Sequence, residues 1–274
     1  MRSPAVHHGG PRVGVLVEAR YLRQRQPNGL CRALRDRGAR VELVDPEDGA
    51  FPADDNSWLA GLDVVVARGR SHGVLHLLGW AELAGVPTVN RRAAVEAVRD
   101  KAALALALHA GGVPTPPTWF GTVAHLARRV PARHFPLVLK PVFGDNGHGL
   151  RVVPTPAELA DLAWPEPFAL AQRLLPTDGR DLKVYGAGDR VWAVRVPSPL
   201  LGTGDEAEPV PANPDLVALA RHCRARFGLD LYGLDCLETP EGPVVVEVNE
   251  FPNYTAVEEA DVALAGHVLA RAGR

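Results

Sequence analysis

Two strand-like runs near the end of the chain carry residue types that hold a hard metal ion. Asp235 lies in LYGLDCLE (231–238), and Glu247 with Asn249 lies in PVVVEVNE (243–250), around a Pro-Glu-Gly turn. Side chains alternate along a strand, so Glu247 and Asn249 share a face. With Asp235 on that face as well, three oxygen donors converge on a site suited to Mg²⁺, with phosphate completing its shell. A solvated strand face is the plainer alternative, yet Glu247 is set in VVVEVN, where an unpaired buried carboxylate is costly.

The lysines are the second signal. Of 30 basic residues only three are lysine: Lys101, Lys140 and Lys183. In a chain that fills its basic positions with arginine, a retained lysine marks a place for a compact ammonium, with chance retention as the alternative. Lys140 ends the apolar run FPLVLKPV (135–142), just before the glycine-rich FGDNGHG (143–149). Gly144, Gly147 and Gly149 there let backbone N–H groups approach phosphate, although most such turns only reverse the chain. No G-x-x-x-x-G-K-[ST] occurs anywhere. Lys183 lies in DLKVY, after the connector QRLLPTDGR.

The elements that must position these groups fall into two styles. VGVLVE (13–18), VELVD (41–45), DVVVAR (63–68) and a short run at 86–89 read as strands alternating with helices over 27–38 and 74–84, which predicts a parallel α/β sheet. Residues 91–111 read as helical, with Asp100-Lys101 opening an Ala/Leu-rich segment, and VPTPPTW (113–119) excludes both helix and central strand. Beyond it, 135–142 and 150–153 read as a hairpin around the glycine-rich turn. A helix near 156–163, a strand over 168–175, a hairpin over 181–196, a loop over 197–212 and a helix over 214–227 follow. The strands 231–238 and 243–250 and a closing helix 260–272 complete an α+β second half.

Composition narrows the field. The 274 residues carry a formal net charge of −2, which excludes binding that rests on bulk basicity, so nucleic acid is not an expected partner. No apolar run approaches a membrane span and MRSPAVHHGG has no signal core, so a soluble, cytoplasmic protein is expected. Cys31, Cys223 and Cys236 form neither a CxxC pair nor an even framework.

Taken in order, DK at 100–101, VLKPVFGDNGHGL at 138–150, AQRLLPTDGRDLKVY at 171–185 and GLDCLE…VVVEVNEFPNY at 233–254 resemble the ATP-grasp superfamily, over nearly the whole chain. The glycine loop and the E-x-N strand are similar to its RimK-type branch of carboxylate–amine ligases. The resemblance implies an N-terminal α/β domain (1–90) on the substrate side. It adds a central subdomain with the glycine-rich loop (91–170) and a C-terminal subdomain with the metal site (171–274), the two clasping ATP. It assigns Lys101, Lys140 and Lys183 to ATP, together with Gly144, Gly147, His148 and Gly149, and Gln172, Leu174 and Leu175 to adenine. Asp235, Glu247 and Asn249 would hold two Mg²⁺ ions, with Mn²⁺ as a substitute. Arg173 replaces an acid of many relatives, so Asp178 or Asp181 is expected at the ribose.

The implied reaction joins a small-molecule or peptide carboxylate to an amine through an acyl phosphate, releasing ADP and phosphate. Arg195 is the candidate to steady the acyl phosphate, and homo-oligomerisation is left open. LKVYGAGDRVWAVRVPS and EVNEFPNY also resemble the inositol polyphosphate kinases of the same superfamily, whose loop has a histidine near His148. Phosphorylation of a polyol such as an inositol phosphate is therefore the alternative. Gly69-Arg70-Ser71-His72-Gly73 matches the G-x-S-x-G of hydrolases. Only about two strands precede it, and HHGG (7–10) lies before the first strand, so no oxyanion loop is in place. A loop at the carboxyl end of a parallel strand is the simpler reading. Arg68, Arg70 and His72 there, with Arg20 and Tyr21, are candidates to recognise an anionic acceptor, solvated surface arginines being the alternative.

Overall fold

The computed structural model describes residues 9–144, 149–200 and 206–273, and two expected phosphate-loop residues, Gly147 and His148, lie outside the described residues. The first runs form a parallel sheet of β1 (Arg12–Val17), β2 (Arg40–Val44), β3 (Val64–Arg68) and β4 (Thr88–Val89), in the order β2-β1-β3-β4. The strand period splits its side chains between two cores. Val13, Val15, Val64 and Val66 meet α1 (Arg25–Asp36), whereas Leu16, Val65 and Ala67 meet α2 (His72–Leu83).

Residues 91–111, expected as one helical stretch, are two helices, α3 (Arg92–Arg99) and α4 (Lys101–Ala110). Asp100 divides them: its backbone is extended, and its carboxylate caps α4 by accepting from the Ala102 and Ala103 N–H groups. Such a cap stabilises by about 1 kcal/mol, and here it sets Lys101 in the first turn.

An antiparallel sheet follows, made of β5 (Thr118–Gly121), β6 (Leu137–Lys140), β7 (Arg151–Val153) and β8 (Ala169–Arg173), in the order β5-β8-β6-β7. Its apolar face packs under α5 (Val123–Arg129) and α6 (Pro156–Ala160). Helix α4 is closed by Gly111-Gly112, with Gly112 at φ +67°, ahead of the prolines of 113–119, and Thr118 and Trp119 open a strand that the sequence reading excludes from a sheet centre. β5 lies at the edge, where a preceding proline removes no ladder bond. Helix α5 has no counterpart in the sequence reading; it is seven residues long and is capped by the Thr122 hydroxyl.

The remaining strands, β9 (Arg180–Ala187), β10 (Arg190–Pro197), β11 (Glu208–Val210), β12 (Leu231–Thr239) and β13 (Gly242–Glu250), form an antiparallel sheet in the order β11-β10-β9-β12-β13. The segment 197–212, expected as loop, thus contains a short edge strand paired with Ala193–Arg195. One face of this sheet is covered by α3, α4 and α7 (Pro214–Phe227), through Leu182, Val184, Leu234 and Cys236. Helix α8 (Ala260–Ala272) returns to the first sheet and packs on α1 and β3.

Asn90, after β4, ties the two halves together. Its Oδ1 accepts from the Asp230 and Leu231 N–H groups at 2.6 and 2.8 Å, and its Nδ2 donates to the Leu231 carbonyl at 2.7 Å. The start of β12 is thereby fixed to the parallel sheet. The architecture is the expected combination of α/β and α+β layers. No helix among the described residues is long and apolar enough to cross a membrane.

Candidate active site

The face of the β9–β13 sheet opposite α3, α4 and α7 and the inner face of β6 and β8 line one cavity of about 430 Å³. Asp235 and Glu247 are direct partners across β12 and β13, and Lys183 of β9 is the partner of Asp235 on its other side. The three therefore stand on one face. Lys183 Nζ lies 2.8 Å from Asp235 Oδ2. Asn249, one pleat beyond Glu247, joins them with its Nδ2 3.4 Å from the same oxygen. Lys101 reaches in from α4 and donates to Glu247 Oε1 at 2.6 Å and to the Gly144 carbonyl at 2.7 Å.

Lys140 and Gln172 come from the opposite wall. Period two turns Leu137 and Leu139 toward α5 and α6, leaving Val138 and Lys140 toward the cavity. Lys140 donates to Gln172 Oε1 at 2.6 Å, and Gln172 Nε2 donates to Thr118 Oγ1 at 3.2 Å. Leu174 and Leu175 line the same cavity with Val138 and Leu237, which makes an apolar slot beside the charged face. Gly149 has φ +77°, and a Cβ there would lie 2.8 Å from Pro141, so only glycine fits. Gly144 contributes its carbonyl rather than its lack of a side chain, since a Cβ would meet Pro141 at an ordinary 3.6 Å.

The charges are tuned by one another. Burial alone would raise the Glu247 carboxyl, but the Lys101 and Lys140 ammonium groups outweigh it and hold it below the ordinary carboxylate value. Burial opposes the charge of Lys183, and the Asp235 carboxylate overcomes this and raises its ammonium. Lys140 is shifted down because burial exceeds the help it receives from Glu247. Asp181 is shifted up by burial against the Ser198 hydroxyl; its Oδ1 is buried with no hydrogen-bond partner while the residue lines the cavity.

Two carboxylates and an amide suit a hard divalent cation that takes further oxygens from phosphate. Among the described residues no cluster of three or more His, Cys, Asp or Glu side chains forms a metal site without such help.

Arg195 is not brought to this set. On β10 it pairs with Leu182, which pairs with Cys236, so it points to the helix-covered face, away from Lys183 and Asp235. There it makes a two-pronged bond to Glu238 at 2.7 and 2.9 Å. The odd-even count decides this: Val194, not Arg195, is the partner of Lys183.

Arg70, by contrast, enters the site. Its Nε donates to Glu250 Oε1 at 3.0 Å and its NH2 group to Asn249 Oδ1 at 3.1 Å, with NH1 3.5 Å from the Gly144 carbonyl. It thus links the parallel-sheet half, the donor strand and the start of the glycine-rich segment. The loop carrying it is held by Glu18, fully buried at the end of β1, whose Oε1 accepts from the Arg70 and Ser71 N–H groups at 2.6 and 2.8 Å. Ser71 Oγ caps α2 by accepting from Val74 N–H, so the G-x-S-x-G segment is a helix start. Arg20 pairs with Glu18 and His72 is exposed, and neither lines the cavity; Arg68 and Tyr21 do. The sequence placed Arg70 on a ligand-facing loop but held no sign of its contact with Asn249, 179 residues away.

The solved structure of a RimK domain ATP-grasp protein from Sphaerobacter thermophilus matches this fold with a TM-score of 0.77 and 24% identity, over 95% of this chain and 98% of that one. That of the ATP-grasp ligase PsnB, complexed with minimal precursor, Mg and ADP, matches with a TM-score of 0.73 and 18% identity, over 96% and 98%. The fold is thus the ATP-grasp fold. A curated relative from Thioalkalivibrio sulfidiphilus, named "Probable alpha-L-glutamate ligase", is 30% identical over 270 residues, 88% of each chain. The chain belongs to that RimK-type family of ATP-grasp enzymes, ATP-dependent ligases that join a carboxylate to an amine. A scan of protein-family models finds no match.

Proposed function

We propose a division of labour in which the β9–β13 face and Lys140 bind Mg-ATP, while the loops after β1 and β3 receive the substrates. The observation that carries it is the convergence of Lys101, Lys140, Lys183, Asp235, Glu247 and Asn249 on one cavity beside an apolar slot. Val138, Leu174 and Leu237 suit an adenine ring, and the unsatisfied Asp181 oxygen suits a ribose hydroxyl. Asp235, Glu247 and Asn249 would hold Mg²⁺, which when bound neutralises triphosphate charge.

The carboxylate oxygen attacks the γ-phosphorus as its bond to the β–γ bridging oxygen breaks, and ADP leaves. The amine nitrogen then attacks the acyl carbon; the carbon–oxygen bond to phosphate breaks, and the amine proton passes to water. This route needs no covalent nucleophile from the chain. Lys101, Lys140 and Lys183 hold phosphate charge in place before the reaction, so little reorganisation is needed during it. Arg70 takes the place expected for Arg195, as a positioning residue that holds Asn249 and the Gly144 backbone together. ATP as the energy source and three buried free cysteines support a cytoplasmic setting.

The test uses a carboxylate substrate labelled with ¹⁸O. One label atom is expected in the released inorganic phosphate, and only when an amine is present. Phosphate without label, or γ-phosphate retained in a stable polyol ester, would overturn the acyl-phosphate route.

A further inference from the structure

The cations of the ATP site come from α4, β6 and β9. Arg68 stands on a different wall, as the last residue of β3, where an open α/β sheet receives ligands. It is 6% exposed, yet it lines the cavity together with Tyr21 and Asn253. Its guanidinium carbon sits 4.2 Å above the Tyr21 ring and 6.0 Å from that of Phe251. One NH2 group donates to Gln24 Oε1 at 2.9 Å and approaches Asn253 Oδ1 at 3.4 Å. The ring and the two amides hold the plane of the fork.

The loop behind it is shaped for this purpose. Gly69 has φ +151°, and a Cβ there would lie 2.2 Å from Glu18 Oε1, so the path that carries Arg68 and Arg70 into the cavity requires glycine. A rigid, desolvated guanidinium is matched in shape and charge by a planar carboxylate, which it can bind through two parallel hydrogen bonds.

The proposed reaction needs one carboxylate at the γ-phosphate, beside Lys101 and Glu247. An α-amino acid serving as the amine substrate brings a second carboxylate, which must be kept from being phosphorylated. We infer that Arg68 binds the α-carboxylate of an amino-acid amine substrate, with Tyr21 as its platform, and so directs the α-amine toward the acyl carbon. Arg68 is thus a specificity residue for the amine side. The inference rests on the ligase reading above.

The experiment is calorimetric titration of the full chain, saturated with Mg²⁺ and the non-hydrolysable analogue AMPPNP. The probes are L-glutamate, L-aspartate and L-alanine, each against its α-carboxamide. In the wild-type protein at least one amino acid is expected to bind tenfold or more tighter than its α-amide. Arg68→Gln is expected to abolish that preference while AMPPNP affinity stays within twofold. Arg68→Lys, which keeps a charge on the Tyr21 ring but loses the fork, is expected to reduce it at least threefold. This second variant decides the matter if Arg68→Gln does not fold. Wild-type protein that binds AMPPNP but never prefers the α-carboxylate overturns the inference, as does a variant that keeps the full preference. Wild-type protein that does not bind Mg-AMPPNP overturns the ligase reading as well, and the two failures are thereby distinguished.

Discussion

Two walls of the cleft hold their charges by different means. On the β9–β13 wall each cation faces an acid: Lys183 meets Asp235 across a strand ladder, and Lys101 meets Glu247 from a helix start. On the wall made by the loops after β1 and β3, Arg68 stacks on an aromatic ring and bonds to neutral amides, Arg70 meets Glu250 and Arg20 meets Glu18. The first wall is built to exchange internal ion pairs for a metal and a triphosphate. The second fixes the plane of a guanidinium against a ring and two amides, which suits recognition of a planar anion. A substitution on the first wall should therefore disturb ATP chemistry, and one on the second should disturb substrate choice with ATP binding intact.

The sharpest way to break this contrast is Glu247→Gln. Steady-state ADP release is expected to fall about 10³-fold, the usual scale for losing one preorganised charge at a reacting centre. The same change leaves the Lys101 ammonium buried without its partner, which should cost about 3 kcal/mol in denaturant unfolding. Because the folded-state value of Glu247 is depressed, this stabilisation is full above the ordinary glutamate value of 4.5 and is lost as pH falls through the folded one. The melting temperatures of wild type and Glu247→Gln should accordingly converge in acid.

Lys140→Met is expected to raise the KM for ATP about 100-fold, the effect of removing a close charge contact to phosphate, which is worth about 3 kcal/mol. Folding should be little harmed, since burial already disfavours the Lys140 ammonium. Gly69→Ala tests the other wall. With a Cβ 2.2 Å from Glu18 Oε1, the loop must move; the amine-substrate KM should rise about tenfold with the ATP KM within twofold, and strain of about 1–3 kcal/mol should appear in unfolding. If ATP binding falls equally, the two walls do not act separately. Arg195→Ala should do least. Its exposed pair with Glu238 is worth about 0.2–1 kcal/mol, and turnover should stay within twofold of wild type, whereas a large loss would return Arg195 to the site.

The first wall was legible in the sequence because one local rule governs it. Glu247 and Asn249 lie two apart in the β-branched run PVVVEVNE, Asp235 lies in the run across the turn, and the rarity of lysine singled out Lys101 and Lys183, with Lys140 on the facing strand β6. Arg195 is a candidate in the sequence for its place at the end of a strand near the expected phosphate, which does not fix the face it occupies. Parity relative to Lys183 depends on the hairpin register, which the turn at Gly188–Asp189 sets. The edge strands β5 and β11 were hidden because proline in and beside them reads as loop, while a sheet edge tolerates it. Helix α5, at seven residues, is too short for periodicity to show.

By itself the sequence determined the order of the longer strands and helices, the two sheet styles and the identity of the charged residues on the donor strands. These follow from side-chain period, capping and turn chemistry, all local in the chain. Only the tertiary structure decided that Arg70 reaches Asn249, that Glu18 holds the Arg70 loop, and that α8 closes on α1. It also decided that Phe251 and Tyr254 adopt φ of 38° and 51° beneath the donor strand, with the Tyr254 hydroxyl on the Gly186 carbonyl. A left-handed backbone at a bulky residue costs about 1–3 kcal/mol and is held only by surrounding packing. Such contacts join residues far apart in the chain, and no local preference in either partner announces them.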